Sequence, residues 1–328
     1  MMRRAARLAA WGIGWSGAVA AAPSTRFGHG RTVTVARSLM PWAGLAAAPL
    51  AVIARLGGRR NTAALGMAVA SASAAMCRTL IRPDAHVAPP VGPAPTLAVA
   101  HANLLSVNRR MTEVGELLAL LPADVVTFSE YTPTHATNLK STALARRFPH
   151  RVELAAPRSS GTALWSRHPV TMRPTVSTTH ETVIADVHAP HGDVRVVVVH
   201  TQSPVAHHGD WLTDLELLAQ LVPTPPSIMT GDFNAGWWHP EFRVLLSAEW
   251  RDAHLAVGRG LSSSWPTARW NLLFRWLPPF VRLDHALLTP DLAVVDVIDL
   301  PIPGSDHLGL LVTVASLSRD RPAPVAAP

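Results

Sequence analysis

Residues 194–200 read VRVVVVH, five valines in seven positions. β-Branched side chains favour an extended backbone, and apolar residues at successive positions leave neither face of that strand for water. Such a run belongs inside a sheet covered on both sides. Shorter apolar runs repeat the theme: TLAVAHA (96–102), DVVTFSE (124–130), GTALWS (161–166), SIMTGD (227–232), LDHALLT (283–289) and LGLLVTV (308–314). Each has the length of a strand. Between them, residues 109–121 set Met111, Val114, Leu117, Leu118 and Leu121 at helical spacing, and residues 210–222 also read as a helix. Strands interspersed with helices predict a layered α/β (α+β) core.

The front of the chain is of another kind. Residues 1–94 carry 11 Arg, no Lys and one acid, Asp84, for a net charge of +10, whereas residues 95–328 carry 18 Lys+Arg against 21 Asp+Glu, for −3. The overall charge of +7 is therefore no argument for a nucleic-acid surface on the back of the chain. Three uncharged, largely apolar segments, 8–22, 38–54 and 61–77, are bracketed by those arginines. Each is shorter than the roughly 20 residues of a comfortable span, but Trp11, Trp15 and Trp42 suit interfacial anchoring. Three short membrane helices fit best. A cleaved leader ending near Ala20-Ala21-Ala22 would account for the first segment only, and buried soluble helices would not explain arginines confined to segment edges. With the N-terminus inside, six inner arginines face five outer ones, a weak bias that puts the rest of the chain outside the cytoplasm. The predicted organisation is a membrane region over 1–82, a Pro-rich linker over 83–95, a catalytic domain over 96–316 and a disordered tail over 317–328. The single cysteine, Cys77, excludes an intramolecular disulfide and a cysteine zinc site.

Polar residues collect where the predicted strands end: Asn103, Glu130, His200, Asp232, Asn234, Asp284, Asp306 and His307. Loops carried by a rigid sheet are where sites form. Carboxylates and an amide suit a hard divalent cation, and a His held by a carboxylate can act on a water or a phosphoryl oxygen. Taken singly, each residue has a bland reading as a turn, a cap or a surface carboxylate. The ordered set does not. AHANLL, DVVTFSEY, GTALWSRHPV, VVVVHTQSP, MTGDFNA, RLDHAL and GSDHLGL resemble, in order, the motifs of the endonuclease/exonuclease/phosphatase superfamily over residues 96–316. That superfamily includes deoxyribonucleases, abasic-site endonucleases, neutral sphingomyelinases and inositol-polyphosphate phosphatases.

The resemblance implies a four-layer αββα sandwich with its site at one rim. It implies Glu130 as principal metal ligand with Asn103 and Asp306. It further implies His307 acting on water or phosphate and oriented by Asp284, Asp232 aligning or deprotonating the nucleophile, and Asn234 and His200 binding phosphoryl oxygens. Mg²⁺ is the implied cation, with Mn²⁺ as the alternative. Two departures stand out: Ser129 precedes Glu130 where the family often has Gln, and the only tyrosine, Tyr131, is far from the position abasic-site endonucleases use. Apolar segments, linker and this domain together look similar to membrane-anchored bacterial members. The expected function is a membrane-anchored phosphoesterase acting on a phosphodiester, either nucleic acid or a phospholipid headgroup. A non-catalytic membrane-tethered binding module and a secreted nuclease are the alternatives. Trp237 and Trp238 read as packing residues rather than a substrate wall, His207-His208 as a solvated loop rather than a metal pair, Arg146-Arg147 as a solvated helix face rather than a phosphate clamp, and the stretch with Trp265, Trp270 and Trp276 as a substrate lip or membrane-facing surface.

Overall fold

The computed structural model describes residues 2–21, 30–83, 95–222, 226–247, 249–267 and 277–316. Most of the expected linker, the tail, Trp270 and Trp276 lie outside them. Two six-stranded sheets pack face to face. One runs in the order β11-β12-β1-β2-β4-β3, where β1 is Thr96–Asn103, β2 Val125–Ser129, β3 His150–Leu154, β4 Thr162–Ser166, β11 Leu292–Pro301 and β12 Leu308–Ser316. The other runs β5-β6-β7-β8-β10-β9, where β5 is Val170–Met172, β6 Val183–Ala189, β7 Gly192–His200, β8 Ser227–Asp232, β9 Arg251–Asp252 and β10 Asp284–Leu288.

The valine run shows why both faces are apolar. Val194, Val196 and Val198 point between the sheets, where they meet Leu97, Val99, Leu164, Val312 and Val314. Val197 and Val199 point outward, under Trp211, Leu215 and Leu218 of α8 (His208–Ala219) and Phe242 and Leu245 of α9 (Pro240–Ser247). The first sheet is covered likewise. Ala98, Ala100 and Ala102 lie under Met111, Val114 and Leu118 of α5 (Met111–Leu120), Leu139 of α6 (Pro133–Lys140) and Leu144 of α7 (Ala143–Arg147). A short α10 (Ala253–Ala256) follows β9. Arg147 is not a solvated residue: its guanidinium donates to the carbonyls of Ala119 and Leu121 at 2.6 and 2.7 Å, tying down the end of α5.

The three apolar segments of the front of the chain coincide with α1 (Met2–Ala21), α3 (Met40–Leu56) and α4 (Arg60–Leu80), with α2 (Arg31–Ser38) leading into α3. By length and composition α4 is the one described helix able to cross a membrane by itself; α2 and α3, bent by 66°, pass as a pair. The helices approach closely at small residues, as helix pairs in lipid do. A Cβ on Gly44 would lie 2.2 Å from that of Ser73, and one on Gly66 would lie 2.9 Å from that of Ala51.

These helices also dock on the sandwich. Arg37 pairs with Glu241 at 3.1 Å, Thr34 with His208 at 3.0 Å, and Ser38 with His239 at 3.2 Å. His208 thus opens α8 and binds α2, which corrects its reading as solvated loop. Trp238 packs with Met40 and Leu80, and Trp237 lies against the same cluster.

Candidate active site

Strand register assembles the site. β7 and β8 are parallel with His200 level with Asp232, and β8 and β10 are antiparallel with Asp284 level with Asp232. His200, Asp232 and Asp284 therefore form one row across the second sheet. In the first sheet β1 and β2 are parallel with Asn103 level with Ser129, so Glu130 follows one step beyond. Residues of the same parity fill the inter-sheet core further along each strand, Val198 and Ala286 among them. The site is the place where the two inner faces turn from apolar to polar at one rim.

The side chains meet across the seam. Asn103 Nδ2 donates to Asp232 Oδ2 at 3.0 Å and reaches Glu130 Oε1 at 3.4 Å, while its Oδ1 accepts from the Leu105 amide at 2.9 Å. Glu130 has φ 53, a left-handed conformation that costs a non-glycine residue of order 1 kcal/mol or more. Its other oxygen, Oε2, accepts from the Ser106 amide at 2.7 Å. Asp232 Oδ1 accepts from the Asn234 amide at 2.8 Å, and Asn234, at φ 47, donates its side-chain amide to the Thr201 carbonyl at 3.0 Å. Gly231 of the Gly-Asp-Phe-Asn motif sits inside β8 at φ 154, where a Cβ would lie 1.9 Å from the Val199 carbonyl oxygen. The glycine is needed for close strand approach, and the turn falls at Asn234.

His307 lies between two carboxylates. Its Nδ1 donates to Asp284 Oδ2 at 2.8 Å and its Nε2 stands 3.7 Å from Asp232 Oδ2. Burial works against a charged ring, but Asp284 and Asp232 outweigh it and hold the His307 pKa up at about 10. Burial pushes Asp232 up, and Asp284 adds to this against the neighbouring histidines. Burial would also raise Asp284, but its contact with His307 keeps it down. His200 donates Nδ1–H to the Ser159 carbonyl at 2.8 Å and turns Nε2 toward Asp232, 3.9 Å away. Asp306 receives the Trp265 indole N–H on Oδ2 at 3.2 Å. Its Oδ1 is buried and has no hydrogen-bond partner among the described residues. Ser305 Oγ donates to the Asn103 carbonyl at 2.7 Å and so ties the Ser-Asp-His segment to the end of β1.

All eight residues read from the sequence come together here. A second layer was missed. His101, wholly buried, bridges Thr127 at 3.0 Å and Ser129 at 3.3 Å and lies 3.9 Å behind Asp284 Oδ1. Burial depresses its pKa to about 4, so it is neutral support rather than a second cation. Ser129, where the family often has Gln, finds its partner in this histidine. Strand parity could have found it, since residues 97, 99, 101 and 103 share one face of TLAVAHAN and only the last two are polar. Trp265, from the stretch read as a substrate lip or membrane-facing surface, lines the cavity beside Asn234 and His307, and its indole also braces Asp306.

A hard cation needs oxygen donors. The orphaned Asp306 Oδ1 and Glu130 Oε1, held only by a 3.4 Å contact, supply that chemistry, whereas the Asn103 oxygen is engaged by the Leu105 amide and its amide group would have to turn to join them. Ligand atoms of Asp232, Asp284 and His307 also lie within 4.8 Å of one another. There Nδ1 of His307 is taken by Asp284, which leaves Nε2, on the Asp232 side, as the ring's ligand atom.

The Endonuclease/Exonuclease/phosphatase family profile matches residues 99–307, and the chain belongs to this family. Its members are hydrolases acting on phosphoester bonds and depend on divalent metals. No curated protein matches the sequence. Among solved structures, it is similar to an endonuclease/exonuclease/phosphatase from Beutenbergia cavernae, at 19% identity and TM-score 0.52 over 67% of this chain and 72% of that one. D. rerio TDP2 complexed with single-strand DNA product matches at 17% identity and TM-score 0.56, over 67% and 99% of the two chains. The 3′ phosphatase NExo from Neisseria, bound to a product DNA hairpin, matches at 19% and 0.50, over 66% and 98%. Identities this low speak to the fold alone.

Proposed function

We propose that this protein is a membrane-anchored, divalent-metal-dependent phosphoesterase that hydrolyses a phosphodiester. The observation that carries this reading is the hydrogen-bonded cluster across the seam, in which the Asn103 amide joins Glu130 to Asp232 and His307 lies between Asp232 and Asp284. Glu130, Asn103 and Asp306 would hold the cation, and Mg²⁺ suits their oxygen donors. When bound it would neutralise phosphoryl charge and stabilise the departing oxygen.

The remaining steps belong to the chain's own groups. Asp232, fixed by two N–H donors, aligns a water and takes its proton as the new P–O bond forms. His307, kept protonated by its carboxylates, donates to a phosphoryl oxygen. Asn234 has a second amide hydrogen beyond the Thr201 contact, and His200 Nε2 lies on the same rim; Asn234 donates to one phosphoryl oxygen, and His200 does so in its doubly protonated form, because its Nδ1–H is already given to Ser159. As the ester P–O bond breaks, the departing oxygen takes up a proton from solvent water, and Asp232 releases its own to solvent, which closes the cycle.

Anchoring is supported by the span-length α4 and by the arginines at both ends of the helices. Two of the sandwich-side arginines, Arg31 and Arg37, are bound to the sandwich. Among the described side chains, exposed Arg4, Arg7, Arg55, Arg59 and Arg60 lie at the far end against exposed Arg78 and Arg82 at the sandwich end, which favours a plasma-membrane protein with its catalytic domain outside the cytoplasm.

The test uses the full chain with bis(4-nitrophenyl) phosphate, single-stranded DNA and phosphatidylcholine, in Mg²⁺, Mn²⁺ or EDTA. Cleavage that needs the metal and is lost in Glu130→Ala and His307→Ala is expected. A folded chain that cleaves none of the three would sink the proposal.

A further inference from the structure

We infer that the phosphoester this site acts on belongs to a lipid-like amphiphile, whose alkyl chain lies in the apolar cavity between α3, α4 and the sandwich. This rests on the phosphoesterase reading above and names its substrate class. The cavity measures about 600 Å³, inside the roughly 300–1,000 Å³ of ligand pockets. Leu45, Ala70 and Cys77 line it from the helices, and Trp237, Trp238 and Phe280 line it from the sandwich.

It does not stand apart from the chemistry. A neighbouring cavity of about 410 Å³ shares Ser38, Phe280 and Val281 with it and is lined at the other end by Asn234 and His307. A headgroup phosphate at those two residues would have its chain directed along the Phe280–Val281 wall into the larger space. One wall of that space is α4, the helix apolar enough to cross a membrane, so its alkyl site would adjoin the span. Ser73, which also lines the cavity, has a buried hydroxyl with no partner among the described residues. An ester carbonyl would accept from it. The alternative polymer, nucleic acid, calls for a cationic track, and residues 95–328 carry a net charge of −3.

Two diesters with the same reacting centre separate these possibilities: methyl 4-nitrophenyl phosphate and hexadecyl 4-nitrophenyl phosphate. Both are offered with Mg²⁺ to the full chain held in an amphipathic polymer. Each methylene taken from water contributes a factor of about 4 in binding, so kcat/KM for the hexadecyl ester should exceed that of the methyl ester by roughly 100-fold or more. Ala48→Phe and Ala74→Phe, on helix faces toward the cavity, fill it from two walls without touching the site. Each is expected to bring the ratio to within about 10-fold of unity, leaving the methyl ester rate unchanged.

Equal rates for the two esters, a ratio that survives both variants, or single-stranded DNA as the preferred substrate would overturn the inference and leave the phosphoesterase reading intact. Cleavage of neither ester would instead count against that reading. The cavity is then tested by itself in EDTA, through maleimide labelling of Cys77, the chain's only thiol. Slower labelling with hexadecyl phosphate, but not with inorganic phosphate, supports the chain site; unchanged labelling refutes it.

Discussion

One of the contacts between α2 and the sandwich is made by a histidine whose neutral form is used at both nitrogens. His239 Nδ1 accepts from the Gly236 amide at 3.0 Å, and its Nε2 lies 3.1 Å from the Thr34 carbonyl. A proton on Nδ1 would set two donors against each other, with the Gly236 carbonyl at 3.3 Å offering only a longer alternative. Burial is the main cause that lowers its pKa from 6.5 to about 4, against the smaller raising effects of the Thr34 and Gly236 carbonyls and Glu241. Once α2 lifts away, the ring recovers its ordinary affinity for protons. Below pH 6.5 the undocked form takes up a proton that the docked form refuses until about pH 4, so docking weakens across that window and is unaffected above it. At about 1.4 kcal/mol per pH unit the loss is about 3 kcal/mol, or roughly 100-fold in the opening equilibrium. Amide hydrogen exchange over α2, corrected for the intrinsic effect of pH and compared with β7, should lose protection by that factor between pH 6.5 and 4. His239→Gln can accept from Gly236 and donate to Thr34 without titrating, and its α2 protection should stay flat relative to β7. An equal loss in the Gln variant, or none in the wild type, would refute the assignment to this ring.

Three further outcomes follow from the site. Trp265→Phe removes the indole N–H that braces Asp306, and a metal titration of activity should show half-saturation at roughly 10- to 100-fold higher cation. Asp284→Asn leaves the shape of the pocket but takes away the charge that keeps His307 protonated; kcat should fall by roughly 10²–10⁴ with little change in KM, measured by steady-state kinetics on bis(4-nitrophenyl) phosphate. Gly231→Ala drives a Cβ into the Val199 carbonyl, and urea unfolding should report a loss of about 2–4 kcal/mol.

Most of the sandwich was legible because its central strands are short, apolar and bounded by polar ends. SIMTGD became β8 with the same limits, and the polar residues at strand ends were those the register later lined up. What escaped has physical reasons. β3 (HRVEL) is only half-buried, and β5 is three residues long, so neither shows a strong alternation. β11 lies at a sheet edge with a bulge between Val294 and Asp296, which breaks the period of two. In the site, the bracing by Trp265 and Ser305 depends on segments far apart in sequence, which no local pattern encodes. The docking of α2 through Thr34, Arg37 and Ser38 was invisible for the same reason. Arg37, counted as a membrane flank, is also the partner of Glu241.

The placement of the site on the seam has a consequence for how the protein would fail. Asn103, Glu130 and His307 ride on one sheet and His200, Asp232 and Asp284 on the other, and the bonds that join them are 3.0 and 2.8 Å long. The sheets are held in alignment by interlocked side chains such as Val198, Leu310 and Val312, none of which is near solvent. A slip of one ångström between the layers would leave every strand intact and part both bonds. The cluster at the seam is therefore a vernier on the sandwich, reading a misalignment too small to register as unfolding. Substitutions deep in the apolar interior should silence the enzyme at temperatures where its secondary structure is still whole.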